Sequence, residues 1–204
     1  MTFETTLHAA PGLPAPAVVG DLGRARFVIR DESPSDISAR ERLLDDCFGP
    51  ARFLKTCERL RAGRIPARGL ALAAHDEDRL VATLRLWPVL AGPGRPALLL
   101  GPLAVSRDYR CLGLGAAMIE TGLARARARN HRAVLLVGDE PYYARFGFER
   151  RLTEGLTLPG WVDPARFLGH ELAPGAMKDA RGRVSAAGAV MPHAMDALRL
   201  PHAA

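Results

Sequence analysis

A chain of 204 residues holds one domain with a full core and is cramped for two. Its 48% hydrophobic and 25% charged residues are those of a soluble globular protein, and 28 Lys and Arg against 22 Asp and Glu leave a net charge of +6 that favours anionic ligands. The arginines are dispersed rather than interleaved with aromatics, which speaks against nucleic acid. The six histidines are scattered, which speaks against a metal centre, and three cysteines with neither signal peptide nor membrane span point to the cytoplasm.

Residues 1–24 carry Pro11, Pro14 and Pro16 among small residues and show no sustained period. They read as a flexible leader ending at residue 25. Residues 26–30 form a first strand with Phe27 and Ile29 on one face. Ser33-Pro34-Ser35-Asp36 supplies helix-start chemistry: Ser35 or Asp36 caps a helix that turns Ile37, Leu43 and Leu44 inward and ends near Phe48-Gly49-Pro50. A second helix is predicted over 52–62, with Phe53, Leu54, Cys57 and Leu60 as its stripe and Gly63 as its stop. Residues 69–74 and 79–89 read as antiparallel strands joined at a solvent-facing tip, His75-Asp76-Glu77-Asp78. Arg85 and Trp87 share one face of the second strand, where they either line a pocket or pack.

The next stretch organises the rest. Residues 98–105 are apolar on both faces, as a strand covered on both sides of a sheet is, and Gly101-Pro102 predicts a bulge or splay within it. Arg110-Cys111-Leu112-Gly113-Leu114-Gly115-Ala116 then opens a helix running to Asn130, whose stripe is Leu112, Ala116, Ile119, Leu123 and Ala126, with Arg125, Arg127 and Arg129 on other faces. Small residues at a helix N-terminus let backbone N–H groups approach an anion. The turn is neither a dinucleotide fingerprint, which needs Gly where Met118 stands, nor a Walker loop, which needs Gly-Lys-Ser/Thr.

Residues 132–137 form a short buried strand, followed by Tyr142, Tyr143, Phe146, Gly147 and Phe148. Gly147 reads as a left-handed helix stop with Phe148 opening the next strand. Residues 155–164 read as a loop carrying Trp161 near the mouth of a site, and 166–172 as a final strand. For residues 173–204, rich in Ala, Gly, Pro and His, extending the sheet, wrapping the domain and self-association into a homodimer are all open. The organisation expected is a leader (1–25), a domain (26–175) and a C-terminal extension (176–204).

R-x-x-G-x-G-A after a strand resembles the pyrophosphate-binding signature of the GNAT acyltransferase superfamily, and Y-x-x-x-G-F after the next strand resembles its second hallmark. With LGPLAV and VLLVGD between and before them, the set resembles a bacterial subgroup of N-acetyltransferases. Cys111-Leu112 stand where such proteins often carry Gly-Gln or Gly-Lys, which leaves the backbone donors in place. The resemblance implies an α/β fold: a central mixed, mostly antiparallel sheet of six to seven strands, flanked by about four helices, with a splayed parallel pair at the cofactor site. It also implies acetyl-CoA as cofactor and direct transfer of an acetyl group to an amine of a small molecule or protein.

Residue by residue, the resemblance places the pyrophosphate on the turn of Arg110, Cys111, Leu112, Gly113, Leu114, Gly115 and Ala116, with Arg107 adding charge. Leu103, Ala104 and Val105 would pair through their main chain with the amide-bearing arm of the cofactor. Tyr143 would be the proton donor to the leaving sulfur as well as a cofactor contact. Phe48, Arg85 and Trp87 are candidates for the acceptor side, with Asp45 and Asp46 beside them. No motif supplies a base for the amine, and Cys111 lacks the His partner that covalent catalysis needs. The alternative from another class is a CoA-binding regulatory module without catalysis.

Overall fold

The computed structural model describes residues 17–19 and 27–192. Apolar runs in the middle of the chain form long strands: β3 (Ala71–Asp76), β4 (Arg79–Ala91) and β5 (Pro96–Val105), joined as an antiparallel meander. Outward from β3 lie β2 (Phe27–Asp31) and β1 (Ala17–Val19), and beyond β5 come β6 (Ala133–Val137) and β8 (Phe167–Glu171). The order is β1-β2-β3-β4-β5-β6-β8, antiparallel along this path except for the parallel β5–β6 pair. The mixed, mostly antiparallel α/β architecture is therefore as expected. Ala17–Val19 pairs with β2, so this part of the predicted leader is sheet; the rest of that expectation lies outside the described residues.

Both faces of β5 are buried, which explains its unbroken apolar run. Leu98 and Leu100 face the core under α3 (Leu114–Ala128), whereas Ala97 and Leu99 face the opposite core with Trp87, Val89 and Phe167. Gly122 lets α3 approach closely, since a Cβ there would lie 3.0 Å from Leu84 Cδ2. The α3 stripe starts two residues later than the sequence suggests. Leu112 precedes the helix and is exposed, while Leu114, Met118 and Ile119 are fully buried. Arg125 also departs from its expected outer face: it is buried, paired with Asp31.

On the other face α1 (Ile37–Phe48) sets Leu43 and Leu44 against Ala104. Its N-cap is Asp36, whose buried carboxylate accepts from Ser33 N–H at 2.8 Å and from Arg30 Nη1 and Nη2 at 2.9 and 3.0 Å, with His75 Nε2 3.0 Å away. Burial alone would raise the carboxyl's pKa, but the Arg30, Ser33 and His75 hydrogen bonds outweigh it and hold the group well below its ordinary value. Stability from this depressed pKa is complete above about pH 4 and lost as pH falls below it. Asp36→Asn is expected to cost about 2–3 kcal/mol in chemical denaturation at neutral pH, discounted because Arg30 is partly solvated.

Three further expectations need correction. Residues 52–62 do not form one helix: a 3₁₀ turn, Pro50–Leu54, precedes a single-turn α2 (Glu58–Arg61). Lys55, extended at φ −66° and ψ 141°, separates the two, and Phe53 and Leu54 stay exposed, leaving Leu60 as the buried residue of the stripe. His75 is not at a solvent-facing tip but within β3, opposite Val28; the turn is Glu77-Asp78, with Glu77 left-handed (φ 50°). Phe148 is buried but opens no strand, the next contact being a single bridge between Glu149 and Gly169.

The C-terminal part joins the same sheet. After β7 (Leu156–Thr157), β9 (Gly182–Ala186) pairs antiparallel with the far end of β4, Val89 opposite Ala186, and parallel with β7. Sheet pairing thus extends past the expected boundary at 175.

Candidate active site

β5 and β6 are in register only at Leu98–Val134 and Leu99–Leu135. Beyond that point β5 turns away. Gly101 adopts φ 119°, a region only glycine occupies easily, and the facing strand β4 shifts register between Leu84 and Leu86. Trp87 donates its indole N–H to Gly101 O at 2.6 Å from within the core and fixes the bend. The predicted splay is present, with a cleft of about 700 Å³ along it. Leu100, Gly101, Pro102 and Leu103 from β5, Leu136 and Val137 from β6 and Gly138 just after it line one part of it, with Tyr143 beside them. The rest comes from the end of α1 through α2, including Phe48, Lys55 and Arg61, and from Trp161, Val162 and Asp163.

Tyr143 ends the short helix α4 (Glu140–Tyr143), which begins with Pro141 in its first turn. Its ring lies against the backbone of Gly138, where a Cβ would sit 2.1 Å from Tyr143 Cε2. Edge contacts to Tyr142 (5.0 Å between centroids) and Phe148 (5.9 Å) hold it from two sides. Burial, reinforced by Tyr142 and Asp139, pushes the phenol up to about 12, so it stays protonated across the physiological range. Gly147 closes the segment in the left-handed conformation the sequence predicted (φ 82°).

The glycine turn folds with Cys111 and Gly113 left-handed (φ 62° and 78°) and with Leu114, fully buried, as its anchor. The first backbone bond of α3 at this end runs from Ala117 N to Gly113 O at 3.0 Å. The N–H groups of Leu114, Gly115 and Ala116 precede it and have no carbonyl one turn back to bond, which makes this end an anion-binding geometry. Space above Gly113 is open. Gly115 faces the Tyr142 hydroxyl, 3.1 Å from where a Cβ would stand, so Tyr142 reaches the turn besides packing on Phe146. Nothing in the sequence placed that hydroxyl there. The side chain of Arg110 folds back, Nε donating to Val105 O at 3.3 Å, and Cys47 Sγ reaches the same carbonyl at 3.5 Å.

Of the acceptor-side candidates, Phe48 lines the cleft and Arg85 and Trp87 do not. Trp87 is core. Arg85 is held by Glu32, Nε to Oε2 at 2.8 Å, in a network with Arg40 that buries Glu32 and raises its pKa by desolvation. Alternation put both residues on one face correctly, but that face is covered, at Arg85 by Glu32 from the loop before α1 and at Trp87 by the core around Leu60, Phe167 and Val184. Asp45 is engaged by Arg52 at 2.8 Å, and Asp46 is exposed away from the cleft. Lys55, Arg61 and Arg166 line the cleft without having been anticipated, because they sit on short elements that carry no period.

A sheet splayed beside a free helix N-terminus, with the Tyr143 phenol in the cleft, is the arrangement that the resemblance to GNAT acyltransferases implies. The model of the Acetyltransferase (GNAT) family matches residues 37–148, from the start of α1 through Phe148, and the chain belongs to this family. It is 30% identical to the Escherichia coli K12 protein named "Uncharacterized N-acetyltransferase YhbS" over 159 residues, 78% of this chain and 95% of that one. The crystal structure of YhbS from E. coli in complex with CoA superposes with a TM-score of 0.69 at 28% identity, over 83% of this chain and 94% of that one. A GNAT family acetyltransferase from Brucella melitensis in complex with acetyl-CoA matches with a TM-score of 0.60 at 26% identity, over 79% and 96%.

Proposed function

We propose that this chain transfers the acetyl group of acetyl-CoA directly to an amine. The observation that carries this reading is the alignment of one cleft, one phenol and one open helix N-terminus along β5. The residues fit the cofactor. Unpaired N–H groups at Leu114, Gly115 and Ala116 suit a diphosphate, Gly113 leaves the approach open, and the edge of β5 at Leu103, Ala104 and Val105 runs toward the cleft past the point where β6 leaves it. The relatives crystallised with CoA and acetyl-CoA support the same assignment. Bound acetyl-CoA supplies an acyl thioester, a carbonyl already activated toward amines.

This chain's own residues then do three things. The α3 N-terminus and the β5 edge hold the acyl group at the cleft. Tyr143 Oη donates its proton to sulfur as the carbon–sulfur bond breaks and regains one, by way of water, from the newly acylated nitrogen; burial keeps the phenol protonated until then. The cleft admits the acceptor in its neutral form, which an alkyl ammonium with a pKa of ~10.4 reaches by losing a proton to water. The three cysteines are free thiols, which suits a reducing compartment such as the cytoplasm.

Isothermal titration with acetyl-CoA and release of CoA thiol over a panel of amines test the proposal together. Binding with turnover is the expected result; no binding by folded protein overturns it, and binding without turnover of any amine makes the chain a CoA-binding module. Gly138→Ala offers a sharper check. Its methyl group displaces the Tyr143 ring, so turnover is expected to fall about 100-fold while acetyl-CoA affinity changes little.

A further inference from the structure

Arg61 stands out on the cleft wall. Its side chain is nine-tenths buried, its one ionic neighbour among the described residues is Glu58 in the same turn (Nη2 to Oε2 3.0 Å), and its Nε–H is buried with no hydrogen-bond partner. A guanidinium carries five donors in a planar fork, and burying one unpaired is costly unless something arrives to accept from it. Three other charged groups on this wall are engaged. Arg52 is held by Glu41 and Asp45, Arg166 by Asp139 at 3.2 Å, and Asp163 accepts from Ala165 N–H at 3.0 Å. Lys55 lies over the Phe48 ring at 4.5 Å and has no ionic partner among the described residues. None of the glycine-turn residues lines this cleft, so an anion at Arg61 is distinct from a diphosphate at α3.

We propose that the acceptor is a small amine carrying its own oxyanion, a carboxylate or a phosphate, which accepts from the Arg61 guanidinium with Lys55 as the second cation. This rests on the acetyl-transfer reading above and narrows its substrate class. The exposed faces of Leu54 and Trp161, which also line the cleft, add room for an apolar body between amine and anion. Arg61 acts here on specificity, binding a part of the substrate remote from the reacting nitrogen.

The test compares thiol-release kcat/KM within matched pairs: L-phenylalanine against L-phenylalaninamide, and phosphoethanolamine against ethanolamine, each corrected to the neutral-amine fraction. For at least one pair the anionic member is expected to be preferred about tenfold or more, and the two pairs distinguish carboxylate from phosphate. Arg61→Gln should abolish that preference at unchanged acetyl-CoA affinity, Arg61→Lys should keep part of it, and Lys55→Gln should reduce it. A preference for the uncharged members, or an anion preference that survives Arg61→Gln, overturns the proposal while leaving acetyl transfer intact. If no amine turns over, N-acetyl-L-phenylalanine and its amide are titrated into ¹⁵N-labelled protein with CoA. A shift of the Arg61 Nε–H signal by the carboxylate alone, or by N-acetylphosphoethanolamine and not by N-acetylethanolamine, supports the anion site even as the acetyl-transfer reading fails, and no difference within either pair overturns it.

Discussion

Tyr143→Phe is expected to lower kcat about 100-fold while leaving the dissociation constant for acetyl-CoA within about twofold, as suits loss of a proton donor that acts only in the transition state. The ring contacts with Gly138, Tyr142 and Phe148 do not involve the hydroxyl, so the variant keeps its packing. The pH profile supplies a second reading of the same residue. Because burial raises the phenol to about 12, the donor form persists as the medium becomes alkaline. Rate is therefore expected to climb as the acceptor amine loses its proton, with no falling limb from Tyr143 below about pH 11. A limb near pH 9, or an unchanged rate in the Phe variant, removes Tyr143 from the chemistry.

Gly115→Asp is expected to weaken acetyl-CoA binding by about 100-fold or more, by calorimetry. The position separates folding from binding unusually well. An acidic residue in the first turn of a helix favours the helix by about 0.3–1 kcal/mol through the macrodipole, and the new Cβ meets only the movable Tyr142 hydroxyl and, at 3.7 Å, Val105 Cγ2. What the carboxylate opposes is a second anion on the same N–H groups. Gly113→Ala is the contrasting control. It strains a left-handed residue (φ 78°) in open space, so it is expected to cost about 1 kcal/mol of stability and only a small change in affinity.

Much of this site was legible in the sequence because its parts are contiguous. The strand, glycine turn, helix, strand and Tyr143 follow one another within residues 96–143, and each is marked by local chemistry: two-faced apolarity in β5, Gly113 at a left-handed position, Asn130 with φ 61° after α3. The acceptor side was not legible. Arg85 and Trp87 were placed on the right face of the right strand, but what covers Arg85 is Glu32, 53 positions earlier, and what covers Trp87 includes Phe167 and Val184, far later in the chain. His75 looks like a turn residue by composition and is strand because β3 continues through it, paired with Val28 on one side and Leu80 on the other. β9 has one buried apolar side chain, Val184, and pairs at a sheet edge, so it offers no period to read.

The acceptor wall and the nucleotide end are built from different parts of the polypeptide. α2 and its flanks are tied to remote sequence: Thr56 Oγ1 donates to Trp161 O at 2.9 Å, Arg59 Nη1 to Pro159 O at 2.8 Å, Ile65 N to Ala189 O at 3.0 Å and Met191 N to Gly63 O at 2.9 Å. None of these ties touches residues 110–116. Drift in residues 50–65 or 155–191 can therefore reshape the cleft wall while the glycine turn stays as it is, so on the acetyl-transfer reading descendants of this scaffold would be free to diversify in acceptor without rebuilding the cofactor end.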